Sequence, residues 1–430
     1  MVTDPTQINR AFVQLPDVIV LGVENPDVGP FRVHVELERS PKGCPDCGVV
    51  ASVKDRDLVE LVDLALFGRP TRLVWHKRRL HCLEAACPKG SWTEQDPRIA
   101  TMNLQMTDRC GRWMTEQVGR GGRPVSDVAG DLGCDWHTVN DAVLRYGEAL
   151  LADSTRFGDV NYLGLDETAF LRQAPYYQTQ FTTSIVDVGN GQLLDVVPGR
   201  GGKEPTTWLK NQGDAWLKKV QAGALDLSSP YRKVFNDTLP HATLVADKFH
   251  VIKHANAKLD ECRRRVQSEQ LGHRGRKDDP LYRIRRLLTK AHERVDEKGH
   301  EKMRGLLDAG DPLGEVADCY TAKEAVRELY SFTNFELADT WINELIADMK
   351  QPHWPVEVRS LGRTLKNWRA EIIAWHKIQI SNVPTEGANN LIKRVKRVAF
   401  GFRSFRNYRV RVLLYAGKPD WSKLATVIPR

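Results

Sequence analysis

Three acidic residues, Asp166, Asp226 and Glu386, lie far apart along the chain, yet each stands where a common fold could gather it. Carboxylates gathered in that way suit phosphodiester chemistry. Cleaving a phosphodiester needs a nucleophile activated near neutral pH and charge neutralised on the phosphate. Two Mg²⁺ or Mn²⁺ ions about 4 Å apart do both. Such hard ions take carboxylate oxygens and keep several waters. Taken singly, any of these residues reads as a helix cap or a surface acid; the case rests on all three at the required positions. Asp247 and His250 form a further pair close in sequence to Asp226, and Asp247 is an alternative second aspartate.

A second chemistry is written in cysteine. Cys44-Pro-Asp-Cys47 and Cys82-Leu-Glu-Ala-Ala-Cys87 are two close pairs separated by 34 residues, enough for a few short strands. Thiolates on two tight turns reach one tetrahedral Zn²⁺. Gly43 and Gly48 flank the first pair, as a knuckle turn needs. One structural zinc is therefore expected on Cys44, Cys47, Cys82 and Cys87, although the second pair is wider than a usual two-residue gap. His76 and His81 read as basic-face residues. Cys110, Cys134, Cys262 and Cys319 stand apart and read as structural.

The carboxylates need a sheet to hold them. The stretch Tyr162-Leu-Gly-Leu-Asp reads as a buried strand ending at Asp166. Residues 178–188 and 192–197 read as two strands joined by the hairpin turn Gly189-Asn190-Gly191. A helix over 205–212, a strand over 220–227 carrying Asp226, a helix over 230–239 and a strand over 243–246 ending at Asp247 complete a β-β-β-α-β-α-β order. In that order the fourth strand lies beside the first, so Asp226 can meet Asp166. Residues 256–380 show charge-rich helical patterning and little strand character. Then Pro384 and Thr385 mark a helix start. Its spacing aligns Glu386, Asn389 or Asn390, Lys393 and Arg397 on one face, with Leu391, Ile392, Val395 and Val398 on another.

Upstream, residues 16–40 alternate like strands and lead into the cysteine module. Residues 102–146 turn helical. Ser126 is placed to cap a short helix with Val128, Ala129 and Leu132 inward; Gly133 permits a tight turn; Asp135 is placed to cap a second helix with Val139 and Val143 inward. Helix, glycine turn, helix is the arrangement of a DNA reader, and its second helix is expected to present Trp136, His137, Asn140 and Arg145 outward. Charge agrees with a nucleic-acid partner. The 430 residues carry a net charge of +8, yet residues 387–419 alone hold nine Lys or Arg and no Asp or Glu. Hydrophobic residues at 41% and charged residues at 27% describe ordinary globular domains. No run of about eighteen apolar residues suggests a membrane span, and residues 1–14 lack the apolar stretch of a secretory signal. A cytoplasmic protein, nucleoid-associated when on DNA, is expected.

These stretches together resemble insertion-sequence transposases of the ISL-three type. The most specific are Gly164-Leu-Asp-Glu-Thr, Tyr231-Arg-Lys-Val-Phe through Ala246-Asp-Lys-Phe-His-Val-Ile-Lys, and Thr385-Glu-Gly-Ala-Asn-Asn. The resemblance implies a multidomain chain of mixed α+β and α/β class. Strands and a zinc-binding module would occupy 1–98, and a helix-turn-helix 99–152. A ribonuclease-H-like core would begin at 158–255, be interrupted by a helical insertion at 256–380, and end with a helix and basic tail at 381–430. It implies a DDE transposase, with Asp166 the first catalytic aspartate and Glu386 the glutamate. Related transposases carry a (Cys or Asp)-x-x-His motif 21 residues after their second aspartate; Asp247-Lys-Phe-His250 lies 21 residues after Asp226, which favours Asp226 over Asp247. Terminal inverted repeats and target DNA are the implied partners, contacted by Trp136, His137, Asn140, Arg145, Asn390, Lys393 and Arg397, with a dimer or larger assembly on DNA. The rival readings are a non-catalytic DNA-binding repressor and a ribonuclease-H-like nuclease without strand transfer.

Overall fold

The computed structural model describes residues 4, 7, 11–15, 17–38, 40–173 and 178–429. The chain forms two compact units, 1–157 with 390–430, and 158–389. No helix among the described residues is long and apolar enough to cross a membrane.

The first unit opens with a five-stranded sheet. Its strands are β1 (Val18–Glu24), β2 (Phe31–Leu37), β3 (Ser52–Leu66), β4 (Arg69–His81) and β5 (Ser91–Thr93), ordered β1-β2-β4-β3 with β5 on β4. β3 and β4 form a long antiparallel hairpin, while β2 runs parallel to β4 from Phe31↔Thr71 to Val35↔Trp75. One face of this sheet buries Val33, Val35, Leu61, Leu73 and Trp75, the alternation expected of strands with one wet side.

Three helices follow: α1 (Asp108–Gly119), α2 (Val125–Leu132) and α3 (Trp136–Leu151). Val128, Ala129 and Leu132 of α2 and Val139 and Val143 of α3 turn inward as expected, and pack with Met114 and Val118 of α1. Gly133 ends α2 at φ 57°, ψ 42°, the left-handed turn that only glycine adopts without strain. The caps differ from expectation. The N-cap of α2 is Pro124, with Ser126 already inside the helix and donating to Asp127 at 3.2 Å. Asp135 does sit at the N-cap of α3 but makes no side-chain capping bond. The C-terminal helix α15 (Phe405–Ala416) belongs to the same unit and contributes Val410 and Leu414 to its core.

The second unit holds a sheet of β6 (Tyr162–Gln173), β7 (Gln178–Asp187), β8 (Gln192–Pro198), β9 (Ala222–Leu225) and β10 (Thr243–Ala246), ordered β10-β9-β6-β7-β8. β6 pairs antiparallel with β7 and parallel with β9, and β10 is parallel to β9. The fourth strand does lie beside the first. All four β9 residues are buried, as the centre of a parallel region covered on both faces requires. Two expectations about these strands need correcting. β6 does not end at Asp166 but runs seven residues further, carried by its ladder with β7. β9 is shorter than the 220–227 run and stops before Asp226, which falls in the following turn.

Helices α4 (Lys203–Lys210), α5 (Asp214–Leu217) and α6 (Ser229–Thr238) connect these strands. Beyond β10 the described chain is helical: α7 (Lys248–Leu271), α8 (Pro280–Leu288), α9 (Glu297–Gly310), α10 (Glu315–Glu328), α11 (Phe335–Asp348), α12 (Val356–Asn367) and α13 (Arg369–Ala374). α7 packs against α10 and α12, burying Val251, Ala255, Leu259, Cys262 and Val266. Helix α14 (Val383–Val398) follows, and its residues 383–389 belong to this unit. Thr385, Ala388, Asn389, Ile392 and Val395 are buried along α14, whereas Leu391, expected on the apolar face, is exposed.

Candidate active site and zinc centre

The cysteine centre is built by two turns. Gly43 bridges to Val50, and Gly48 N–H donates to Cys44 O at 2.9 Å, closing the first knuckle. The longer second spacing is absorbed where Cys82 N–H donates to Gly90 O and Cys87 N–H to Glu84 O. The four sulfurs all lie within 4.8 Å of one another, with Cys44···Cys87 at 3.7 Å and Cys47···Cys82 at 3.5 Å. Tetrahedral thiolates about 2.3 Å from Zn²⁺ stand roughly 3.8 Å apart, so the donor set fits that ion. His76 is not part of it and pairs with His34 at 3.0 Å.

The carboxylate site assembles where β6, the turn after β9, the start of α7 and the start of α14 converge. Gly164 makes the approach of α14 to β6 possible: a Cβ there would stand 2.3 Å from Thr385 Oγ1. One turn along α14, Asn389 is buried against β6 and β7. Its Nδ2 donates to Asp166 Oδ2 at 2.6 Å, and its Oδ1 accepts from Thr168 Oγ1 at 2.7 Å and Ser184 Oγ at 2.8 Å. Asp166 Oδ1 accepts from Glu167 N–H at 2.8 Å. Burial, and then the charge of Asp226, push the Asp166 carboxyl up to about 6. Mutual repulsion of this kind is what a bound cation relieves.

Asp226 and Asp247 play different parts. Asp226 keeps a quarter of its side chain exposed; its Oδ1 accepts from Asn382 Nδ2 at 2.9 Å and faces His250 Nδ1 at 3.0 Å. Asp247 is 2% exposed and both its oxygens are engaged. Oδ1 accepts from Phe249 N–H at 2.8 Å as the N-cap of α7, and Oδ2 accepts from Asn382 N–H at 2.7 Å. His250 Nε2 also comes to 3.8 Å from Glu386 Oε1. Burial alone would lower the imidazole, but Asp226 and Asp247 outweigh it and raise His250 to about 9. The imidazole that stands between Asp226 and Glu386 is thus held toward its protonated form.

Asp166, Asp226, Glu386, Asp247 and His250 are thus gathered into one neighbourhood. Asn382 has no counterpart among the residues expected from the sequence. Of the alternatives Asn389 and Asn390 on the face of Glu386, Asn389 turns in to Asp166 and Asn390, expected to contact DNA, is exposed. Asn382 carries no sequence signal, because its role depends on where the helices return the chain. Lys393 and Arg397 are exposed on α14, and Trp136 and His137 on α3, with Arg145 half-buried. Asn140 departs from expectation: it is 7% exposed and accepts from Asn407 Nδ2 at 3.2 Å, because α15 covers that side of α3.

Comparison with known proteins bears on the family of the chain. A family profile described as a transposase of the DDE, ISL3 type matches residues 163–412, and one described as the zinc-finger of transposases IS204/IS1001/IS1096/IS1165 matches residues 40–87. With a mixed α/β fold, a four-cysteine cluster and these two family matches, the chain is a DDE-type transposase and belongs to the ISL3 transposase family. It is 25% identical over 388 residues to the transposase for insertion sequence element IS1001 of Bordetella parapertussis, covering 86% of this chain and 87% of the relative. It is 26% identical over 292 residues to the transposase for element IS1557 of Mycobacterium tuberculosis, covering 63% of each. Among solved structures, the Drosophila P element transposase strand transfer complex aligns with 64% of this chain and 81% of its own at 11% identity and a TM-score of 0.34, a likeness that carries no weight here.

Proposed function

We propose that this protein binds the terminal inverted repeats of an insertion sequence, hydrolyses the DNA strand at each end and joins the freed 3′-hydroxyl to target DNA. In this reading 158–255 and the start of α14 form a ribonuclease-H-like core interrupted by the helices over 256–380. The residues over 1–98 and 99–152 supply zinc-binding and helix-turn-helix modules. The observation that carries it is the meeting of Asp226 and Glu386 at His250, both partly exposed, with Asp166 close enough for the charge of Asp226 to raise its carboxyl.

Asp166, Asp226 and Glu386 would hold two Mg²⁺ or Mn²⁺ ions, which when bound activate water and neutralise charge on the phosphate. The protein's own part is placement. Asn389 fixes the Asp166 carboxylate from behind, and Asn382 fixes Asp226. His250 supplies positive charge beside Asp226 and Glu386. Asp247 caps α7 and so sets where His250 points. Trp136, His137 and Arg145 on α3, with Asn390, Lys393 and Arg397 on α14, supply DNA contacts; two ends must be brought together, so the working form is a dimer or larger assembly on DNA.

Cleavage of duplexes carrying the element's own ends, with Mg²⁺ or Mn²⁺, tests this. Asp166→Asn, Asp226→Asn and Glu386→Gln are each expected to lose at least ~10³-fold in cleavage while still binding ends. If Glu386→Gln cuts like the wild type, the catalytic reading is wrong and a DNA-binding repressor takes its place. Cleavage without any joined product leaves a nuclease.

A further inference from the structure

The C-terminal segment and the starts of α2 and α3 line a cavity of about 430 Å³ in the first unit. Three helix starts open onto it: Pro124 to Ser126 of α2, Trp136 of α3 and Ser404, the N-cap of α15. Neither Pro124 nor Asp135 caps its helix with a side chain, so backbone N–H groups at both starts lack that partner. Helix starts of this kind attract anions.

Arg411 is the second, independent sign. It lies on the cavity wall, is 6% exposed, and its Nε has no hydrogen-bond partner. No carboxylate pairs with it among the described residues, and the Phe402 ring lies 5.2 Å from its guanidinium carbon. Burial drags its guanidinium down to about 10. A buried cation without a counter-charge costs stability. No Asp or Glu lines the cavity, whereas Arg403 and Asn407 add donors.

We propose that this cavity seats a phosphodiester group of the DNA backbone, with Arg411 as the buried counter-charge and the starts of α2 and α3 as N–H donors. The proposal rests on the DNA-binding reading above and adds a contact none of the outward-facing residues supplies. It also gives Asn140 a place: buried on α3, it lines the same cavity.

The test uses the full-length protein, Arg411→Met and Ser126→Asp, a duplex carrying the element's ends, and inorganic phosphate as the alternative anion. Arg411→Met removes an unpartnered charge, and Ser126→Asp places an acid in the first turn of a helix where it favours the fold. Both variants are therefore expected to melt at or above the wild-type temperature. Both should bind the duplex roughly tenfold more weakly, with the slope of log K against log salt reduced by about one. Wild-type affinity and slope in Ser126→Asp, or a collapse of the fold in Arg411→Met, would overturn the proposal. Protection of the wild type by phosphate without any change in duplex binding for either variant assigns the cavity to a free anion and overturns the DNA assignment. Weakened binding with no cleavage by any protein leaves the cavity proposal standing and the catalytic reading fallen.

Discussion

Asp226 and Asp247 both follow a strand and both touch His250, yet their surroundings separate them. A cation ligand needs an oxygen that solvent can reach. Asp247 has spent both of its oxygens on backbone N–H groups, whereas Asp226 faces the opening. The difference is measurable as stability against activity. Asp226→Asn removes a carboxylate that repels Asp166 but pairs with His250, so its melting temperature is expected to change little while cleavage is lost. Asp247→Ala removes an N-cap and strands buried donors; it is expected to lower stability by about 1–3 kcal/mol in a denaturant titration. The reverse pattern would move the second ligand to Asp247. Asp226 was favoured in the sequence by strand order and the 21-residue spacing. The reason Asp247 serves as a cap was not legible there, because Asn382, its partner, is 135 residues away.

At the scale of elements, the long helical stretch is held by more than apolar stripes. Arg265 on α7 donates to Glu357 of α12 at 2.8 and 3.0 Å and to Glu315 of α10 at 2.8 and 3.2 Å. Cys262, Cys319 and Glu357 cluster beside it, and the guanidinium supplies the positive charge there. Burial would raise the Glu357 carboxyl, but Arg265 outweighs it and holds it below the ordinary value of 4.5. Arg265→Met leaves Glu357 buried and unpaired, so about 3–5 kcal/mol of stability is expected to be lost near pH 7. A carboxyl lowered on folding stabilises above its unfolded value and loses that contribution as pH falls. The gap between wild type and variant should therefore close below pH 4.5; a gap constant to pH 3 would show that Arg265 acts through packing alone. Helical periodicity announced these helices, but three charges on three of them could not be paired by sequence alone.

For the whole molecule, the four-cysteine cluster and the carboxylate neighbourhood fall in different compact units, the cysteines in the first and the carboxylates in the second. One zinc per chain is expected by metal analysis. Its removal by a thiol-selective chelator, or by Cys44→Ser, should unfold the module over 1–98 and weaken end binding, while calorimetric Mn²⁺ affinity of the second unit persists. Loss of Mn²⁺ binding with the zinc would contradict that separation. The +9 of 387–419 belongs almost wholly to the first unit, so DNA affinity should fall steeply with salt.

Sequence alone determined the kinds of chemistry, because ligand identity and local spacing are properties of the chain: paired cysteines on turns, acids in or just after strands and at a helix start, a basic tail. It also determined the strand order, since a hairpin followed by crossovers leaves few arrangements for the sheet. Only the tertiary structure decided which neighbours serve those residues. Asn389 rather than Asn390 reaches Asp166, Asp247 is consumed as a cap, Asn140 is covered by α15, and Arg411 is buried with its Nε unpartnered among the described residues. The first three are set by contacts between residues 135 to 267 apart in the chain, and periodicity tells which face of a helix is buried but not what waits on the other side.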